Sequence, residues 1–231
     1  MNNWIICLKH GTKYNSIYVN KLYNMVRRHS TLPFKFGCIT EDSIGLDPSI
    51  HIITLPNLDI TGWWWKLWVF DKNFPINGTI LFMDLDIVIV KNIDNLWAYE
   101  PGKFCVIKDF NRTYIPDYKK FNSSIFKMDT GKFSHVWDNY IINSSLSKKM
   151  HGDQDWIAYQ ITEGFSFWPD NWIRSYKWEI RDRSDLVLEN RKRRFKNIAN
   201  PNIDSNTSIL VFHGDPKPDE VFDPIIIDNW K

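Results

Sequence analysis

The chain has 231 residues, 43% hydrophobic and 24% charged, a balance that excludes intrinsic disorder and is ample for a sizeable core. Its 29 Lys and Arg against 27 Asp and Glu leave a formal charge of +2, which argues against whole-molecule nucleic-acid binding and confines any polyanion contact to a local patch. No apolar run approaches the roughly 18 to 20 residues of a membrane-spanning helix, and Met1 to His10 lacks the basic stretch and apolar length of a secretory signal.

A cytoplasmic setting is therefore predicted, with Cys7, Cys38 and Cys105, each inside an apolar run, as buried free thiols. Trp4 to Leu8 has the pattern of a buried strand, and apolar residues at 17, 18, 19, 22, 23, 25 and 26 form a helical stripe over Ile17 to Arg28. Phe34 to Ile39 and His51 to Leu55 are strand-like, and Trp63 to Phe70, following Thr61-Gly62, is expected to be a helix. Thr79 to Val90 is the most strand-like segment of all. Strands then follow at Phe104 to Ile107, Ser123 to Lys127 and Ile209 to Phe212, with helices near Phe133 to Ile142 and Asp153 to Ile161. Strands alternating with helices, and apolar on both faces, predict a single α/β domain with a mostly parallel, doubly covered sheet.

Within Thr79 to Val90, read as one extended strand, residues 80, 82, 84, 86, 88 and 90 share a face, so Asp84 and Asp86 stand side by side in an apolar row. Paired carboxylates there repel and lose hydration, and a hard divalent cation with oxygen ligands is the natural compensator. The bare pattern is unspecific: 21 Asp in 231 residues produce about two Asp-x-Asp pairs by chance, and the chain has two, at 84/86 and 153/155. Only the apolar context separates the first from the second. The residues alone leave two readings, a metal site or a strand-end turn with both carboxylates in water.

Other clusters have ordinary readings beside functional ones. Asp153 and Asp155, after Gly152, suit the first turn of a helix. Lys66 in the Trp-rich segment can extend to solvent. His213-Gly214-Asp215-Pro216-Lys217-Pro218 follows the last strand, where α/β sheets present loops to ligands, and Gly214 there lets backbone approach a diphosphate or metal. Arg191 to Lys196 carries five cations in six residues, a solvated face or a peripheral contact to anionic lipid. The sequence has 12 Trp, which supply either core or stacking platforms, and 165–180 is an aromatic-rich stretch broken by Pro169. Gly-x-Ser-x-Gly, Walker, Gly-x-Gly-x-x-Gly and Cys-x-x-Cys motifs are absent, which removes the commonest hydrolase, NTPase, dinucleotide and zinc readings.

Taken in order, these segments resemble the family 8 glycosyltransferases. The resemblance rests on Lys66 followed by Phe-Met-Asp84-Leu-Asp86-Ile-Val-Ile-Val-Lys-Asn-Ile-Asp-Asn-Leu, on Phe121-Asn122-Ser-Ser-Ile, on Gly152-Asp153-Gln154 and on Gly214-Asp-Pro-Lys217-Pro218. It implies a GT-A fold with a Rossmann-like, mostly parallel central sheet and a smaller C-terminal acceptor-side region. Residues 1–100 would form the nucleotide-sugar-binding half and 101–231 the sugar and acceptor half. It further implies a hexosyltransferase using a UDP-sugar donor held through Mn²⁺ or Mg²⁺, acting with retention on a saccharide, lipid-linked saccharide or protein acceptor. By position, Asp84, Asp86 and His213 would bind metal, and Tyr14, Lys66, Asp84, Asn122, Gly214 and Lys217 would bind the donor. Asp153, Gln154 and Lys217 would act in catalysis, and the aromatic stretch 165–180 would contribute to acceptor binding. Four departures from the family pattern stand out: His213 adjoins Gly214 directly, Asp219 follows Lys-Pro in place of Trp, and Ser124 and Asp155 replace glycines. A metal-dependent nucleotidyltransferase and a non-catalytic carbohydrate-binding protein on a degenerate transferase fold are the alternatives.

Overall fold

The computed structural model describes residues 2–115, 117–147 and 149–231. The first half contains β1 (Asn3–Lys9), α1 (Ser16–His29), β2 (Lys35–Thr40), β3 (His51–Thr54), a 3₁₀ segment (Gly62–Phe70), β4 (Thr79–Met83), β5 (Ile87–Ile89) and α2 (Asn95–Ala98). The second half contains β6 (Phe104–Lys108), β7 (Phe121–Asp129), α3 (His135–Ile142), α4 (Ser144–Ser147), α5 (Asp153–Gln160), β8 (Phe165–Phe167) and β9 (Ile173–Ser175). The hairpin β10 (Leu186–Glu189) and β11 (Lys192–Phe195), then β12 (Ile209–Val211) and α6 (Pro224–Asn229), complete it.

The main sheet has the order β3-β2-β1-β4-β7-β6-β8. β1 to β4 are parallel neighbours, β7 runs antiparallel to β4 and β6, and β8 is parallel to β6. Period-two alternation gives the sheet two apolar faces. Ile5 and Cys7 of β1, with Leu81 and Met83 of β4, pack toward α1 and the small sheet β5-β12-β9. Trp4, Ile6, Ile80 and Phe82 face the opposite way, toward the 3₁₀ segment, α3 and α5. The three cysteines are buried and free, as expected.

One expectation is corrected, and the helix expected over Trp63 to Phe70 is present with a tighter winding. Thr79 to Val90 is not one strand: β4 ends at Met83, and after Asp84-Leu85-Asp86 the chain leaves the main sheet and resumes as β5, pairing with β12. The break is anchored on both sides, because the Asp84 N–H donates to the Ser124 carbonyl at 2.8 Å and the Asp86 carbonyl accepts from the Phe212 N–H at 2.9 Å. The Trp-rich segment is a 3₁₀ helix, and Thr61 makes no side-chain cap to it. Apolar on nearly every side, it is wedged between the sheet, α3 and α5, so packing holds the tighter winding. In the stretch 165–180, Trp168 and Tyr176 are buried and the rings of Phe165, Phe167, Trp172 and Trp178 are half-buried. Among the described residues no helix is long and apolar enough to cross a membrane.

Candidate active site

A cleft of about 360 Å³ opens where β1 and β4 end, the edge at which parallel α/β sheets bind ligands. Lys66, Asp84, Asp86, Asp153, Tyr14 and Trp63 are among its lining residues. A larger hollow of about 860 Å³ lies at the opposite edge, where Trp4, Lys35 and His51 begin or nearly begin their strands, and it holds none of the acidic residues.

On one side of the cleft a lysine ties two carboxylates together. Lys66, 4% exposed because its neighbours Trp65 and Leu67 are core residues, donates to Asp84 Oδ1 at 2.9 Å and Asp153 Oδ2 at 3.0 Å. Ser123 Oγ donates to Asp153 Oδ2 at 2.6 Å and accepts from Lys66 at 3.3 Å. Burial disfavours the Lys66 ammonium, but Asp153 and Asp84 outweigh it and raise its pKa, so the cation persists at neutral pH. Asp84 is raised by burial and by Asp86 and Asp153, with Lys66 opposing.

On the other side Asp86 accepts from Tyr14 Oη at 2.9 Å and Lys217 Nζ at 2.5 Å. Burial, then the Asp86 carboxylate, raises the Tyr14 phenol and keeps it a neutral donor. The Tyr14 ring packs on Tyr18 at 4.8 Å, with Lys217 Nζ 5.6 Å from its centroid. Gly214, at φ +69°, lies in the left-handed region, and a Cβ there would sit 3.2 Å from Lys177 Nζ, so backbone and ammonium are in close approach. Lys177 donates to the carbonyls of His213 and Asp215 and thereby shapes the loop that carries Lys217. Burial, with Arg193 and Lys217 adding, pushes Lys177 down to about 8.

His213 has partners of its own. Its Nε2 shares a 2.7 Å hydrogen bond with Ser175 Oγ, and its ring stacks on Phe110 at 5.1 Å and meets the edge of Trp178 at 4.5 Å. Burial and the cations Lys177, Lys217 and Arg193 depress it to about 3, which leaves a neutral imidazole. Among the described residues no group of three or more His, Cys, Asp or Glu side chains converges as a metal site. What the cleft offers a hard cation is the pair Asp84 and Asp86, each now neutralised by a lysine.

The remaining sequence candidates divide. Asp153 opens α5 and joins the Lys66 cluster, whereas Gln154 is half-buried beside it. Asn122 is 7% exposed and its Oδ1 accepts from the Ser124 N–H at 3.1 Å, so its neighbour Ser123 takes the polar position in the cluster. The reason is an irregularity where β6 and β7 pair, between Val106 and Ile107. It reverses the facing of β7, so that Phe121 lies on the same side as Phe126 and Met128. Arg191 to Lys196 spans the turn and second strand of the β10–β11 hairpin, where Lys192 and Arg194 each lie 3.7 Å from Glu220.

No protein-family model matches the sequence, and no curated protein matches it. Solved structures do match. The galactosyltransferase LgtC, in complex with donor and acceptor sugar analogues, superposes with a TM-score of 0.63 at 13% identity over 93% of this chain and 88% of that one. The glycosyltransferase GlyE of Streptococcus pneumoniae gives 0.64 at 12% identity, covering 96% of this chain and 58% of that chain. The bifunctional glycosyltransferase WbbM gives 0.63 at 12%, covering 99% of this chain and 49% of that chain. The fold is thus the mixed α/β, GT-A-like fold of these proteins.

Proposed function

We propose that the chain is a metal-dependent glycosyltransferase that moves a hexose, with retention, from a nucleoside-diphosphate sugar of the UDP type to a hydroxyl acceptor. The observation that carries this reading is the meeting of Asp84, Asp86, Lys66 and Asp153 at one strand-end cleft of a GT-A-like fold, with Lys217 bound to Asp86. Residues 1–100 contribute Tyr14, Lys66, Asp84 and Asp86, and the later half contributes Ser123, Asp153 and Lys217.

The donor set fits Mn²⁺ or Mg²⁺: two carboxylates line the same cleft, and both already hold cationic partners. Asp84 and Asp86 would hold the ion. Bound there, it would act as a Lewis acid toward the departing diphosphate. Lys217, which rests on Asp86, is the cation placed to turn to diphosphate oxygens, with Lys177 shaping its loop and Arg193 adding positive potential. Asp153 is fixed by Lys66 and Ser123, so its carboxylate is oriented before a donor arrives. Beside Gln154, it supports the reading of an anionic partner for an oxocarbenium-like centre. Nucleotide-sugar chemistry and free thiols accord with a cytoplasmic setting.

Purified protein incubated with UDP-, GDP- and dTDP-hexoses is expected to release nucleoside diphosphate from one of them with Mn²⁺ and not with EDTA. Release of pyrophosphate from a nucleoside triphosphate and a sugar phosphate would instead identify a nucleotidyltransferase. Metal-dependent donor binding without release, across acceptors, would identify a carbohydrate-binding protein.

A further inference from the structure

Of the 12 Trp in the chain, Trp63 is the one that stands exposed among the described residues, at 51%, and it does so on the wall of the site. The rings next to it are spent on packing. Trp64 stacks on Tyr140 at 5.5 Å, and Trp65 is 2% exposed. The segment is fixed at its start as well, because the Gly62 N–H donates to His10 Nδ1 at 3.1 Å. Trp63 is thus an apolar surface mounted on a rigid element.

Its position has chemical meaning. A Cβ at Gly152 would lie 3.6 Å from Trp63 Nε1, so the indole sits against the residue immediately before Asp153. Tyr14, Lys66, Asp84, Asp86 and Asp153 line the same cleft, and Lys217 is bound to Asp86. A pyranose has an apolar C–H face and a hydroxyl rim. An open indole in a cleft lined by carboxylates and lysines matches both.

We infer that Trp63 is the platform on which a saccharide acceptor stacks, with its reactive hydroxyl turned toward Asp153. The inference rests on the transferase reading and assigns a residue of this chain to the second substrate. It places the aromatic acceptor contact at Trp63 rather than in 165–180, where Trp168 and Tyr176 are buried and the other rings are half-buried.

Two measurements test it. In protein labelled with ¹⁵N-tryptophan, the Trp63 indole signal, assigned by its loss in Trp63→Phe, is expected to shift on titration with glucose, galactose, lactose or maltose in the presence of UDP and Mn²⁺. This titration needs no turnover. Failure of the signal to respond to every one of these sugars overturns the inference. In turnover, Trp63→Ala is expected to lower the ratio of sugar transfer to donor hydrolysis about tenfold, and Trp63→Phe to restore most of it. An equal fall of transfer and hydrolysis in Trp63→Ala would assign the ring to the donor and overturn the acceptor role. A wild-type chain that shifts the indole signal but releases no nucleoside diphosphate from any donor would instead overturn the transferase reading alone.

Discussion

Asp86→Asn is expected to lower Mn²⁺-dependent release of nucleoside diphosphate by about 10²- to 10³-fold, the usual cost of removing one preorganised electrostatic partner. The amide keeps the shape and can still accept a hydrogen bond from Tyr14, so the loss falls on charge. The pair Asp84 and Asp86 drops from two negative charges to one, and Lys217 loses the carboxylate that holds it 2.5 Å away at the mouth of the cleft. The fold should persist, because the link from this turn to β12 runs through the Asp86 carbonyl, which the substitution leaves in place. Circular dichroism and a thermal melt close to wild type, beside collapsed turnover, are the expected pattern. Unchanged turnover would remove Asp86 from the site.

Lys66→Met should act on stability as well as activity. It removes the one cation between Asp84 and Asp153, groups whose side chains are 28% and 11% exposed, and strands negative charge in a poorly hydrated pocket. Breaking a buried pair from one side costs roughly 3 kcal/mol, more than the pair itself contributes over a neutral replacement. Urea unfolding should therefore show a loss of about that size. The double variant Lys66→Met with Asp84→Asn should recover at least about 1 kcal/mol of it, the coupling expected for groups in direct contact. A loss under about 0.5 kcal/mol in the single variant would mean that water reaches the cluster freely.

These two residues also mark how far the chain can be read without coordinates. Asp84 and Asp86 are conspicuous because they interrupt an apolar run, and Lys66 because it interrupts a row of Trp, Leu, Val and Phe. Both interruptions are local and visible. The extended-strand reading fails at the same place because strand continuity depends on partners far away in sequence. Ser124 ends the pairing on one side and Phe212 begins it on the other, 88 residues later. Ser123 was hidden for a related reason: the choice between it and Asn122 follows from the β6–β7 irregularity, and a parity change of that kind has no signature in a single strand's own pattern.

The aromatic residues show the limit of composition. Ring-rich segments at 62–70 and 165–180 look alike as sequence, yet one presents Trp63 to the cleft while the other packs Trp168 and Tyr176 into the core. His213 teaches the same lesson. Its position after the last strand is legible, whereas its bond to Ser175 and its stacking on Phe110 arise only when β9, β12 and the turn at Phe110 meet.

The central claim is that Asp84 and Asp86 together hold the cation against a nucleoside diphosphate. Crystals grown with Mn²⁺ and UDP, recorded at the manganese absorption edge, test it most directly. An anomalous peak at Asp84 and Asp86, with diphosphate density in reach of Lys217, is the expected result. Diphosphate bound with no manganese at that pair, or manganese bound elsewhere in the chain, would contradict it.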